Sequence, residues 1–209
     1  MSIVLVGSTS GSITLQEPAV AGSTVLDLPA TSGTILTSAS AISASSITTG
    51  TLPKAQLPTG SVLQVVSTAK TDSFSTTSTS YVTFMTVSIT PTSASSKILV
   101  TFGTNGGTAG DVAHGYLAMF RGSTQIFQAD TAGNRRSATS TINTATQQQL
   151  YCGGTFLDSP VTTSSTTYTL QVLSSNGTAV YLNRSARDID SLTNDGRTAS
   201  SITVMEIAA

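Results

Sequence analysis

The sequence predicts an all-β protein in three parts: an N-terminal segment of short strands, a thin shaft, and a C-terminal β-sandwich or jelly-roll head. Three observations carry that prediction. From residue 61 onward apolar residues alternate with polar ones at a period of two, and no window of a dozen residues has helical apolar spacing. Serine and threonine make up 71 of the 209 residues, against nine basic and ten acidic ones, a composition suited to strands and turns. The stretch TGTLPKAQLPTG at 49–60 then divides the chain. Pro53 and Pro58 each remove a backbone donor and fix φ, and each pushes the residue before it, Leu52 or Leu57, towards an extended conformation. A hydrophobic content of 38% at net charge −1 separates the chain from disordered sequences, which combine high charge with low hydrophobicity.

Residues 1–37 hold four short apolar runs, Ile3–Val6, Ile13–Leu15, Val25–Leu28 and Ile35–Leu36, separated by turn-formers at GSTSG, EPAVAG and PATSG. Such a unit buries too little apolar area to fold alone, so it is expected to fold with partner chains or against a larger body. Residues 38–60 form the shaft and connector. In SASAISASSITT the isolated Ile42 and Ile47 are expected to point at a common threefold axis, with a flexible linker as the alternative. Leu52 and Leu57 have no use in a solvated monomeric linker and are expected to pack between sister chains at the joint.

Residues 61–209 form the head, with about eight to ten strands expected, as in a sandwich or jelly roll. Tyr81, Thr83, Met85, Val87 and Ile89 share one phase of a strand; Ile98, Val100 and Phe102, Tyr168, Leu170 and Val172, and Ile202, Val204 and Glu206 do the same in three others. Arg121-Gly122-Ser123 reads as a turn between GYLAMF and TQIFQA, and Asn176-Gly177 as a short hairpin between YTLQVLS and TAVYLN. The first and last strands, Val62–Val66 and Ile202–Ile207, are expected side by side in the middle of a sheet. Strands apolar on both faces, KILVTF and SVLQVV, imply a core on one side and self-association on the other.

Catalysis is not expected. His114 is the only histidine, and Asp111 three residues earlier is better read as loop solvation than as an acid–base partner. Cys152 is the only cysteine, which removes disulfides and Cys-rich metal sites and suits a reducing compartment. It reads as a small buried hydrophobe on a strand. Gly106-Gly107 and Gly153-Gly154 lack the lysine and the strand–helix context of a phosphate loop. Asp188, Asp190, Asn194 and Asp195 lack the register of a calcium loop, and Arg184, Arg187 and Arg197 beside them point to mutual pairing. No cofactor or metal is therefore expected. A near-neutral surface gives no footprint for nucleic acid, and MSIVLVGSTSG reads as neither signal peptide nor anchor, so no membrane insertion is expected. The remaining signal lies in three long loops at 103–114, 129–149 and 183–200. Asn134, Arg135 and Arg136 in the second are the candidate receptor-binding residues, because paired guanidinium groups grip carboxylates or acidic sugars.

The phrases GSITLQEPAVAGSTVLDLPATSGTIL (11–36), GTLPKAQLPTGSVLQVVSTAKTDSFSTTSTSYV (50–82), SITPTSASSKILV (88–100), AMFRGSTQIF (118–127), YTLQVLSSNGTAVYLNRS (168–185) and SSITVMEI (200–207) cover nearly the whole chain. As a set they resemble tail-fibre-type virion structural proteins of tailed bacteriophages, particularly those of cyanobacterial and marine phages. The resemblance implies a virion protein assembled in the host cytoplasm. It implies a homotrimeric fibre whose N-terminus attaches to baseplate, tail or capsid proteins and whose head binds a host-surface receptor, a cell-surface glycan being one class. It implies no catalytic residues. The shaft is shorter than in many such fibres, which leaves three placements open: a main adhesion fibre, a short baseplate fibre, or a capsid-attached head fibre or decoration (cement) protein.

Overall fold

A computed structural model describes residues 56–209 except 111–112, 145–147, 192 and 194, together with the two strands Ser2–Val6 (β1) and Ser12–Gln16 (β2). The chain divides into two compact units, Met1–Thr51 and Leu52–Ala209. In the first, β1 and β2 pair antiparallel with Ile3 opposite Leu15 and Leu5 opposite Ile13, so the first two predicted runs are strands. The runs Val25–Leu28 and Ile35–Leu36, the shaft isoleucines Ile42 and Ile47, and Leu52 lie outside the described residues.

The second unit is all-β, and no described helix is long and apolar enough to cross a membrane. Its strands are β3 (Val62–Lys70), β4 (Phe74–Thr76), β5 (Val82–Ile89), β6 (Lys97–Thr108), β7 (Gly115–Arg121), β8 (Thr124–Ile126), β9 (Ser140–Ile142), β10 (Leu150–Asp158), β11 (Thr166–Ser174), β12 (Val180–Leu182) and β13 (Ser200–Ile207). One antiparallel sheet runs β3–β13–β6–β10, and the far half of β6 also pairs with β12, which carries β4. The other runs β5–β11–β7, and β7 is flanked end to end by β8 and β9. Ile98, Val100, Phe102, Ile202 and Val204 of the first sheet and Met85, Val87, Leu117, Met119, Tyr168, Leu170 and Val172 of the second form one core cluster. The period-two reading is thus the packing pattern: alternate residues enter the core and those between face out.

Four expectations change in detail. β3 and β13 do pair, but β3 is the edge strand and only β13 is flanked on both sides. In β5 the pairing with β11 passes from Met85 to Thr83, leaving Phe84 as the extra residue of a bulge. The phase flips there, so Phe84 is buried beside Met85 while Thr83 is exposed. Asn176-Gly177 is a tight turn, with Gly177 at φ +84°, but it joins strands of different sheets rather than two strands of one hairpin. Side chains hold it instead of a ladder: Ser174 Oγ donates to Thr178 O (2.6 Å) and accepts from Gly177 N (3.0 Å), and Asn176 Oδ1 accepts from Thr178 N (3.1 Å). The fourth change concerns the glycine-rich stretch read as a loop from residue 103, which continues as strand β6 to Thr108. A Cβ on Gly106 would lie 2.8 Å from Ile142 Cδ1 and 2.9 Å from Leu182 Cδ2, so glycine there is core packing rather than loop chemistry. The Arg121–Thr124 hairpin turn, with Gly122 at φ +57°, is as expected.

Candidate functional site

The sandwich has two chemically different ends. β3 starts opposite Ile207 and finishes opposite Ser200, which puts the start of the head beside the chain's last residues. Gly60 N donates to Ala208 O (2.8 Å), and Ala208 N donates to Ser61 O (2.9 Å). At this near end Glu206, fully buried, receives Gln64 Nε2 (2.6 Å), Thr92 N (2.7 Å) and Thr92 Oγ1 (2.7 Å). Burial pushes its carboxyl up, but these donors and Ser96 outweigh burial and hold it at about 2. Asp158, with its side chain 7% exposed, accepts Arg121 Nη1 at 2.7 and 2.9 Å and Tyr168 Oη at 2.7 Å. Burial first, and then the Asp158 acceptor, push the Tyr168 phenol far up. Leu57 is half-buried and lines a recess of about 430 Å³ with Leu63, Thr92, Ser96 and Ala208. Of the two joint leucines it is the one described.

The β6–β7, β9–β10, β11–β12 and β12–β13 connections gather at the far end, whereas the β8–β9 excursion leaves the sheet edge halfway along β7, between the Met119–Ile126 and Leu117–Ser140 pairings. Ser175 N donates to His114 O (2.8 Å), Asn143 Nδ2 to Ala113 O (3.0 Å), and Gln149 Nε2 to Gly196 O (2.8 Å), tying four connections together. The β12–β13 loop is held by guanidinium–carboxylate pairs. Asp188 accepts Arg197 Nε (2.7 Å), Arg197 Nη2 (2.6 Å) and Arg184 Nη1 (2.8 Å). Asp195 accepts Arg187 Nε and Nη2 at 2.9 Å each. The arginine beside each acid, Arg197 for Asp188 and Arg187 for Asp195, is the main cause holding it below the usual range. The pairing expected from the sequence is therefore present, and no described cluster of three ligands could hold a metal ion. Asp190 is exposed, whereas Asn194 and Asp111 lie outside the described residues. His114 is exposed with Nε2 3.3 Å from Asn143 Nδ2, and Cys152 is buried with its thiol pushed up by burial.

The predicted receptor residues sit between β8 and β9 on an ordered excursion. Ala129 N donates to Ala138 O (3.2 Å) and Ser137 Oγ to Asp130 O (2.9 Å), which close it. At its tip Ala132 and Arg135 form a bridge around Gly133 (φ +60°), and Asn134 is exposed on the turn. Both arginines are exposed, but they are engaged differently. Arg135 Nε turns back onto Ala132 O (3.1 Å), whereas the Arg136 guanidinium lies over the Tyr116 ring at 5.6 Å. Tyr116 and Phe120 are on the outward phase of β7, and Tyr81 meets Phe120 edge-on at 5.4 Å. Tyr81 Oη is buried; burial pushes its pKa up, and the nearby Arg136 charge and the Gln125 side chain work the other way. The result is an aromatic platform of Tyr81, Tyr116 and Phe120 with one guanidinium on it. Sequence reasoning reached the arginine and missed the rings, although GYLAMF, apolar on both phases, carried the signal.

This platform can stack against a flat partner and present a cation and the Tyr116 hydroxyl to its polar groups. No pair of a nucleophile with a base is assembled among the described residues around it. Compared with known proteins, the chain matches no family model, and no curated protein is significantly similar to it.

Proposed function

We propose that the protein is a structural protein of a tailed-bacteriophage virion: a short homotrimeric tail fibre whose head contacts the host surface. The observation that carries this reading is the polarity of the head. The connector and the last residues meet at one end, while the polar loops gather at the other. A projecting adhesin needs that separation, with attachment behind and recognition in front. Strand order supports a jelly roll. If β3, β5, β6, β7, β8, β10, β11 and β13 are taken as first to eighth, the sheets run first–eighth–third–sixth and second–seventh–fourth–fifth, the order of a double Greek key. The chain's phrase-level resemblance to phage fibres supplies the virion context, and the N-terminal unit is the part assigned to attachment.

Arg136 on its platform is assigned the host-surface contact. A charged hydrogen bond is worth about 1.5–3 kcal/mol, and loss in three heads multiplies through avidity. Phage carrying Arg136→Ala should adsorb at least about tenfold more slowly with unchanged particle heat-stability, as expected from losing a charged contact. Normal adsorption combined with a less heat-stable capsid would instead identify a decoration protein. Because the C-terminus is at the near end, a label for electron microscopy belongs at Gly133, on the excursion tip.

A further inference from the structure

We infer that the outward face of the β3–β13–β6–β10 sheet is the surface through which copies of this chain associate, and that they close edge to edge, β10 of one against β3 of the next. Cross-strand register aligns one apolar row over the whole face: Leu157 opposite Leu99, Leu99 opposite Met205, and Met205 opposite Val65. The next row is hydroxylic, Thr155, Thr101, Thr203 and Ser67, and the one after it is small, Gly153, Gly103, Ser201 and Ala69. A Cβ on Gly103 would lie 2.8 Å from Tyr151 Oη, because the Tyr151 ring lies flat on the two glycines. The only charged residue on this outward phase is Lys97, at the near end, where Nζ donates to Ser159 Oγ (2.9 Å).

The exposure pattern selects the occupant. The inner pair of the apolar row, Leu99 and Met205, is half-buried, whereas the outer pair is open, Leu157 at 53% and Val65 at 56%. Tyr151 on β10 and Val62 on β3 are also open. Exposed apolar groups therefore sit on both edge strands of a face whose single charge is Lys97, and β3 and β10 run in opposite directions, so each edge is the antiparallel partner the other needs. A second copy is the partner that supplies both at once, and two unlike edges meeting head to tail generate a ring where the rotation between copies closes, three copies closing it here. At about 4.8 Å between strands and 3.3 Å per residue, four strands by seven residues span about 440 Å² in plan. That is the plan area of the whole face, its hydroxylic and small rows included, and in a ring the face meets two neighbours.

This inference rests on the homotrimeric reading, and the experiment separates the two. Sedimentation equilibrium of the full chain is expected to give three times 21.2 kDa. Val65→Glu and Leu157→Glu are each expected to give 21.2 kDa with an unchanged β-sheet circular dichroism spectrum. A chain with V65K together with L157E is expected to regain the trimer mass, since each junction then joins opposite charges. The control Thr86→Glu, an exposed position on β5 of the other sheet, should leave the mass unchanged. A wild-type monomer would overturn both the inference and the trimer. A trimer that survives both single substitutions would overturn this face alone, and folded single variants with no rescue by the charge pair would overturn the edge-to-edge closure.

Discussion

Glu206 is the most exacting test of how the near end is held. Its carboxylate has an ordinary value of 4.5 and is held at about 2 in the fold, a difference of 2.5. At about 1.36 kcal/mol for each unit, ionised Glu206 contributes on the order of 3 kcal/mol at neutral pH. The sign follows from the depression: the contribution is complete above the unfolded value and is lost as pH falls from about 5, most of it by pH 2. Glu206→Gln is nearly isosteric but brings a donor to the Gln64 amide, which cannot turn away without losing its bond to Thr90 O (2.7 Å). Urea unfolding of both proteins at one protomer concentration, from pH 7 to 2, reads the effect, because other acids cancel in the difference. The wild type should be the more stable protein at pH 7, and the gap should shrink by about 3 kcal/mol at pH 2. A gap that stays constant across that range would refute the claim that the buried carboxylate is ionised and stabilising.

Four further outcomes follow from the packing. Tyr168→Phe removes one donor from Asp158 and should cost about 1–2 kcal/mol in urea unfolding at neutral pH. Arg121→Ala should cost more, about 3 kcal/mol, because it leaves a buried carboxylate without its charge partner; equal losses would mean that the pair is dispensable. Gly106→Ala should lower stability by about 1–3 kcal/mol through overpacking against Ile142 and Leu182, read as a fall in Tm. Gly133→Ala meets open space, and its cost of about 1 kcal/mol comes from φ +60° alone, so a larger loss there than at Gly106 would invert the argument.

The strands were legible because a sheet with one buried face writes itself as alternation. Ile98, Val100 and Phe102, and Ile202 and Val204, occupy the core as their spacing indicates. Sheet membership was not legible. Asn176-Gly177 has the residues of a hairpin turn, yet a turn constrains only its own backbone, and here Ser174 and Asn176 complete it while the chain crosses between sheets. Glycine was the other blind spot. Gly106 and Gly107 read as loop because glycine lowers strand propensity, but tertiary contact decides. Only the structure shows that a ring, a methyl or a carbonyl occupies the space a side chain would need.

The candidate site divides in the same way. Arg136 was reachable, since an exposed guanidinium in a long polar loop has few structural uses. Tyr116 was not, because a tyrosine in a strand reads as core until its phase is fixed by a neighbour such as Leu117. Charge was legible as composition and misleading as location. With so few charged residues, two of the acids, Glu206 and Asp158, are inside the sandwich, and both are at the near end. Each is saturated by specific donors, so each fixes the geometry of the strands it joins: Glu206 fastens β13 to Gln64 of β3 and to the β5–β6 connection, and Asp158 fastens β10 to β7 and β11. Burying a carboxylate is tolerable only where the structure is rigid enough to keep all its donors in place. The two acids therefore mark where strands of the two sheets are fastened to each other and to the connection beside them. The far end is held differently: its guanidinium–carboxylate pairs, with the Asp195 side chain 2% exposed, lie within the β12–β13 loop itself, so they shape that loop rather than fasten one sheet to the other.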